Sequence, residues 1–276
     1  MKEKVCVVTG GNAGIGKAIA SELARMQAHV VIVSRNREKG ELALADIRQE
    51  APMGQVELVV GDLGTAAGTR QLANTLLAQL PHIHVLVNNA GVWLTQRQLN
   101  VDGLEMTFMV NHLAPFILTN MLLARLQASA PARIVNVNAG LYVNGRFNLQ
   151  QTPYGHDFHR LRTYANSKLG NIFYTQELAR RIEGSGVTVN AVHPGVIRTD
   201  LGVMSGVLGW LLRLVKRSWP GPEVGAQAPV WLATAPELEA VNGKYFDLKQ
   251  ETPYAPVAQN PELAQQVWAL SEQLAG

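Results

Sequence analysis

The run Val5-Cys6-Val7-Val8-Thr9-Gly10-Gly11-Asn12-Ala13-Gly14-Ile15-Gly16 decides the fold. Its first four residues are apolar and mostly β-branched, as suits a short strand buried on both faces. Glycines follow at once, and then Ile15, Ile19 and Leu23 recur every fourth residue with Ala20 and Ala24 beside them, the period of a helix with one apolar face. A strand that turns through glycines straight into a helix aims that helix's unpaired N–H groups, and the positive end of its dipole, at whatever lies above the turn. The bland alternative is a tight connection with no ligand. The strand–loop–helix context at the start of the domain favours a bound pyrophosphate instead, held by Gly10, Asn12, Gly14, Ile15 and Gly16.

The same alternation continues outward. Valine-rich runs at Val30–Val33, Val56–Val60, Val85–Val87, Ile134–Val137 and Val187–Val192 are separated by helical patterns, one of them carried by Leu169, Ile172, Phe173 and Leu178. A seventh strand is expected at Lys244–Leu248. The pattern predicts an α/β fold over 1–276: a single doubly wound, Rossmann-type domain with a mainly parallel seven-stranded sheet and helices on both faces. Ligands of such sheets sit at the carboxyl edge of the strands.

Composition agrees. Of 276 residues 47% are hydrophobic and 16% charged, enough for a sizeable core. The net charge is only +3 and no long Lys/Arg run exists, which argues against a nucleic-acid partner. Cys6 is the single cysteine and lies in an apolar run, so no internal disulfide framework or multi-cysteine metal site is available. His156 and His159 flank Asp157 in what reads as a solvated loop, and no metal is expected. Met1 to Lys4 lead directly into the first strand, too little for a signal peptide or a membrane span, so the expected location is the cytoplasm.

The second strand ends Val33-Ser34-Arg35-Asn36-Arg37. A carboxylate here would bond the adenosine ribose and favour NAD; Arg35 instead offers a bidentate contact to a 2′-phosphate, which predicts NADP(H). Asp62 and Leu63 after the third strand, and Asn89, Ala90 and Gly91 after the fourth, fall on the edge where the adenosine would lie.

Further along stand Asn111, Tyr164-Ala165-Asn166-Ser167-Lys168 and His193-Pro194-Gly195. In this order and spacing, the motifs resemble the short-chain dehydrogenase/reductase family over nearly the whole chain. Val110-Asn111-His112-Leu113-Ala114-Pro115-Phe116, Ser167-Lys168-Leu169-Gly170-Asn171 and Asn242-Gly243-Lys244-Tyr245-Phe246 are similar to its retinol-dehydrogenase-like branch. The resemblance implies a small carbonyl or alcohol as substrate, Tyr164 as acid/base, Lys168 on the nicotinamide ribose, and Asn111 holding a water in a proton relay. It also implies Pro194, Gly195 and Thr199 beside the nicotinamide, and a homo-oligomer. Four residues apart on a helix, Tyr164 and Lys168 share a face, and a nearby ammonium together with the positive nicotinamide of an oxidised cofactor is expected to lower the phenol's pKa. The segment at about 200–222 should cover an apolar or aromatic substrate, with Trp93 and Tyr142 nearby; its Arg213, Lys216 and Arg217 also allow a peripheral membrane contact.

One position departs from the family. Where the resemblance implies a serine that bonds the substrate oxygen, Val137-Asn138 runs into Ala139. Three readings stay open: an engineered serine-to-alanine change, a natural enzyme in which Asn138 or another donor substitutes, or a catalytically weak NADP(H)-binding protein. A lyase or dehydratase using Tyr164 without hydride transfer is a further alternative. Loss of one preorganised donor costs about 2.7–4 kcal/mol of barrier, a hundredfold or more in rate. Ala139→Ser is therefore expected to raise reductase turnover by at least about tenfold; an unchanged rate would show that another group does the serine's work.

Overall fold

The computed structural model describes residues 1–198 and 219–276. Seven parallel strands form the sheet: β1 (Val5–Thr9), β2 (His29–Ser34), β3 (Gln55–Val60), β4 (Val85–Asn88), β5 (Ala132–Val137), β6 (Val187–His193) and β7 (Tyr245–Asp247). Their order is β3-β2-β1-β4-β5-β6-β7, and a two-residue β8 (Gln250–Glu251) adds antiparallel to β7 at the edge. The described sheet therefore has eight strands rather than the seven expected. Both β8 residues are exposed and polar, so no hydrophobic period announces so short a strand.

Register explains why the strands read as continuous apolar runs. Val7 lies between Val31 of β2 and Leu86 of β4, deep in the sheet. Within β1 the side chains alternate: Cys6 and Val8 enter the core on one face, Val7 the core on the other. The first face is covered by α1 (Gly14–Arg25), α2 (Arg37–Glu50) and α7 (Pro222–Thr234). The second is covered by α3 (Ala66–Gln79), α5 (Ala114–Ala128) and α6 (Arg160–Arg181). Strand order reverses between β1 and β4, so a crevice opens there at the carboxyl edge.

Just before α5 the chain is unusual. A short α4 (Met106–Phe108), capped by the Glu105 carboxylate accepting from the Phe108 N–H at 2.9 Å, passes into a π turn at Met109–Leu113 with Asn111 at its centre. Such bulges insert a residue into a helix and re-aim its side chains. The whole run Met106–Ala128 is long and apolar enough to cross a membrane, yet its most apolar window is 78% buried inside the fold.

The sequence showed α6 as a helix with one apolar stripe, but from Thr163 to Thr175 every residue of it is buried. The cause is α8 (Pro261–Ala275), which lies on the face away from the sheet. Its Trp268 packs edge-on to Phe116 at 4.9 Å, stacks on Tyr174 at 5.9 Å, and lies under the Arg181 guanidinium at 4.3 Å. Ser271 of α8 accepts from His112 Nε2 at 2.9 Å, since its own hydroxyl is given to the Val267 carbonyl. Trp268→Ala should lower unfolding stability by about 3–5 kcal/mol in urea titrations; a loss under about 1 kcal/mol would show that α8 is a peripheral ornament rather than part of the core.

Candidate active site

The glycine loop is built as its residues require. Gly10 and Gly14 take φ of 66° and 53°, the left-handed region. A Cβ at Gly16 would stand 2.3 Å from both the Gly10 carbonyl oxygen and Asn89 Nδ2, so the loop closes onto the helix only with glycine there. Whereas Asn36 and Thr65 cap α2 and α3, Ala13 offers α1 no side-chain cap, and no acid lies in the first turn. The leading N–H groups of α1, near Ile15 and the half-buried Asn12, are thus left for an external anion. These features fit a dinucleotide pyrophosphate.

Across the crevice, the Thr9 hydroxyl accepts from the amides of Asn89 and Ala90, each at 3.0 Å, and Asn89 Nδ2 donates to the Thr9 carbonyl at 2.9 Å. Asn89 and Ala90 therefore brace the crevice as well as bordering it. Arg35, just past β2, is exposed and makes no hydrogen bond or ion pair among the described residues, whereas Arg37 pairs with Glu41 at 3.5 Å. Asp62 is exposed after β3 and accepts from the Gly64 N–H at 3.0 Å, with Leu63 buried beside it.

Tyr164 and Lys168 lie on one face of α6, both 5% exposed, with Lys168 Nζ 5.7 Å from the phenol ring centroid. Nζ donates to the Val137 carbonyl at the end of β5 at 3.0 Å, and a Cβ built on Gly91 would come within 3.9 Å of it. The strand rim after β4, the end of β5 and helix α6 thus meet at one amine. Burial brings Lys168 down to about 8. Burial also pushes Tyr164 well above the usual tyrosine range, which corrects the expectation that the ammonium would pull it down: in a site this dry, desolvation outweighs a cation 5.7 Å from the ring centre.

Asn111 joins the group through the π turn. Its Oδ1 accepts from the Val92 N–H at 2.7 Å, and its Nδ2 donates to the Val92 carbonyl at 2.9 Å and to Ser167 Oγ at 3.0 Å. Asn138 is buried, but both ends of its amide bind backbone: Nδ2 donates to the Lys168 carbonyl at 3.2 Å and Oδ1 accepts from the Ala139 N–H at 2.8 Å. As placed, it anchors β5 to α6. Ala139 follows half-buried at the rim, and next to it a Cβ on Gly140 would meet the His193 ring at 3.5 Å. Pro194 and Gly195 follow β6 at the same edge, Gly195 with φ 89°.

Tyr142 does not belong on the substrate side. It is 2% exposed, accepts from the Ala255 N–H at 2.9 Å and packs edge-on to Tyr245 at 5.0 Å. Thr199 and the covering segment, apart from its last few residues, lie outside the described residues, as do Arg213, Lys216 and Arg217. His156 and His159 are exposed. Nothing in the residue pattern marks Ser167 as a link, since its role depends on the π turn, nor the way Trp93 meets Tyr164: the two rings stack at 4.6 Å with 13° between their planes.

A crevice that fits a pyrophosphate thus opens beside a buried phenol–amine pair. Comparison with known proteins gives the class. A family model described as short chain dehydrogenase matches residues 4–205. Retinol dehydrogenase 13 of Homo sapiens is 42% identical over 284 residues, covering 99% of this chain and 85% of the relative. Retinol dehydrogenase 12 of Homo sapiens is 40% identical over 273 residues, covering 99% and 86%. A solved protein from Mycobacterium Paratuberculosis superposes with a TM-score of 0.80 at 30% identity, over 99% of this chain and 94% of that one. A short chain dehydrogenase from Burkholderia cenocepacia J2315, in complex with NADP, gives 0.70 at 27% identity over 89% and 96%. The chain belongs to the short-chain dehydrogenase family, within its retinol-dehydrogenase-like branch.

Burial of Lys168 has a measurable consequence. Between about 8 and 10.5 an unfolded lysine keeps the proton that the folded one has released, so unfolding free energy rises with pH through that window, and below it the buried charge is a standing cost. From pH 7 to about 9.5, stability of the parent protein should rise by on the order of 1–2 kcal/mol more than that of Lys168→Met. Parallel stability–pH curves would show the amine to be solvated.

Proposed function

We propose that the protein interconverts a carbonyl and an alcohol on a small apolar or aromatic molecule using NADP(H), with Tyr164 as the acid/base. The observation that carries this reading is the burial of Tyr164 and Lys168 together at the rim of the dinucleotide crevice. Arg35 supports the phosphorylated cofactor: it is exposed, has no carboxylate partner among the described residues, and stands where an acid would otherwise bond the ribose. The NADP complex of the Burkholderia relative points the same way.

NADPH, when bound, supplies the hydride. The chain's own residues handle the proton. Tyr164, kept protonated at neutral pH by burial, is set to give its proton to the carbonyl oxygen, which favours reduction. Lys168 keeps a positive charge near the phenol, so the phenolate left after donation is stabilised. Asn111 fixes the segment after β4 that borders the pair. Leu141, Val143, Val196 and Leu248, following β5, β6 and β7 at the same edge, are 37%, 48%, 59% and 50% exposed and give the substrate side an apolar rim. Ala139 supports a second reading, an NADP(H)-binding protein of low turnover, because no hydroxyl stands at that position.

Nicotinamide absorbance followed with a panel of apolar aldehydes tests both. Turnover is expected with NADPH, slower with NADH, and reduced at least about a hundredfold in Tyr164→Phe. Equal rates in Tyr164→Phe would refute the acid/base role, and cofactor binding without turnover, persisting in Ala139→Ser, would establish the second reading.

A further inference from the structure

Trp93 has no part in the chemistry outlined above, yet it makes the closest aromatic contact to the proposed acid. Its indole lies flat on the Tyr164 phenol, centroids 4.6 Å apart and planes 13° from parallel. The indole is also fixed at its far end, where Nε1 donates to the Arg160 carbonyl at 2.9 Å. Arg160 is one helical turn before Tyr164, so that carbonyl is also the one the α-helical pattern assigns to the Tyr164 amide. One indole therefore grips a full turn of α6, backbone and side chain together.

The other end of the grip is equally well held. Val92, the residue before Trp93, has both its backbone groups bound to the Asn111 amide. Asn111 also donates to Ser167, and the Ser167 hydroxyl donates to the Tyr164 carbonyl at 2.7 Å. The links close a ring: Asn111 to Val92, along the chain to Trp93, across the stack to Tyr164, through Ser167 back to Asn111. A phenol held only by its own rotamer would swing; this one has a plate on one face and its backbone carbonyl tied through Ser167.

We propose that Trp93 is a positioning residue that orients the Tyr164 phenol and screens its face from water. The proposal rests on Tyr164 being the acid/base, and its test has an arm that does not. With NADPH and an apolar aldehyde, Trp93→Ala is expected to lower kcat roughly tenfold while KM for NADPH stays within about twofold. Trp93→Phe keeps the plate and loses only the Nε1 bond, so it should recover most of that loss. In a Tyr164→Phe background, Trp93→Ala should cost little more, because the indole acts through the phenol. Independently of turnover, nitration by tetranitromethane, read at Tyr164 by peptide mass spectrometry, should be blocked in the parent and in Trp93→Phe and open in Trp93→Ala. If the parent turns over no aldehyde, the acid/base reading fails and the nitration pattern still judges the plate. Unchanged kcat with unchanged nitration in Trp93→Ala would overturn the proposal.

Discussion

An ammonium group held out of water beside a phenol is the constraint on which the rest of this structure depends. Removing a lysine from solvent costs several kcal/mol unless its protons find acceptors. Here the Val137 carbonyl at the end of β5 accepts one of them at 3.0 Å. That requires α6 to pass directly over the strand ends, and the Asn138 amide, donating to the Lys168 carbonyl, fixes the distance. The amine's burial and the helix's placement are thus one arrangement.

The burial in turn depends on layers well away from the site. With only the sheet on one side, α6 would expose half its surface, including the face of the Tyr174 ring that Trp268 now covers. α8 covers that surface with Trp268 and reaches the π turn through Ser271 and His112, next to Asn111. The chain's final helix therefore helps hold the first residue of the polar ring around Tyr164. Thr9 does the corresponding work at the other side of the crevice, tying β1 to the segment after β4.

Much of this was legible in the sequence. The valine runs matched the first six strands to within one or two residues, because both-face burial leaves a continuous apolar record, and the seventh, expected at Lys244–Leu248, forms at Tyr245–Asp247. The glycine loop was legible because Gly10, Gly14 and Gly16 each answer to a local steric need. The Tyr164–Lys168 pair followed from helical spacing together with family resemblance. What stayed hidden was set by tertiary contact. Tyr142 and Trp93 look alike as aromatic residues near motifs, yet one fills the core beside Tyr245 and the other stacks on Tyr164. The sign of the Tyr164 shift was also out of reach, since it depends on how completely the neighbours exclude water. The π turn has no periodic signature at all, and β8 is too short to have one.

The central claim is that this buried pair serves hydride transfer to a carbonyl. Isotope tracing tests it most directly: reduction of an apolar aldehyde with NADPH deuterated at the nicotinamide C4, followed by mass spectrometry of the alcohol. One deuterium is expected on the carbinol carbon of the product, from one or other face of the ring. Alcohol formed without deuterium from either face, or an aldehyde consumed with the nicotinamide unchanged, would contradict it.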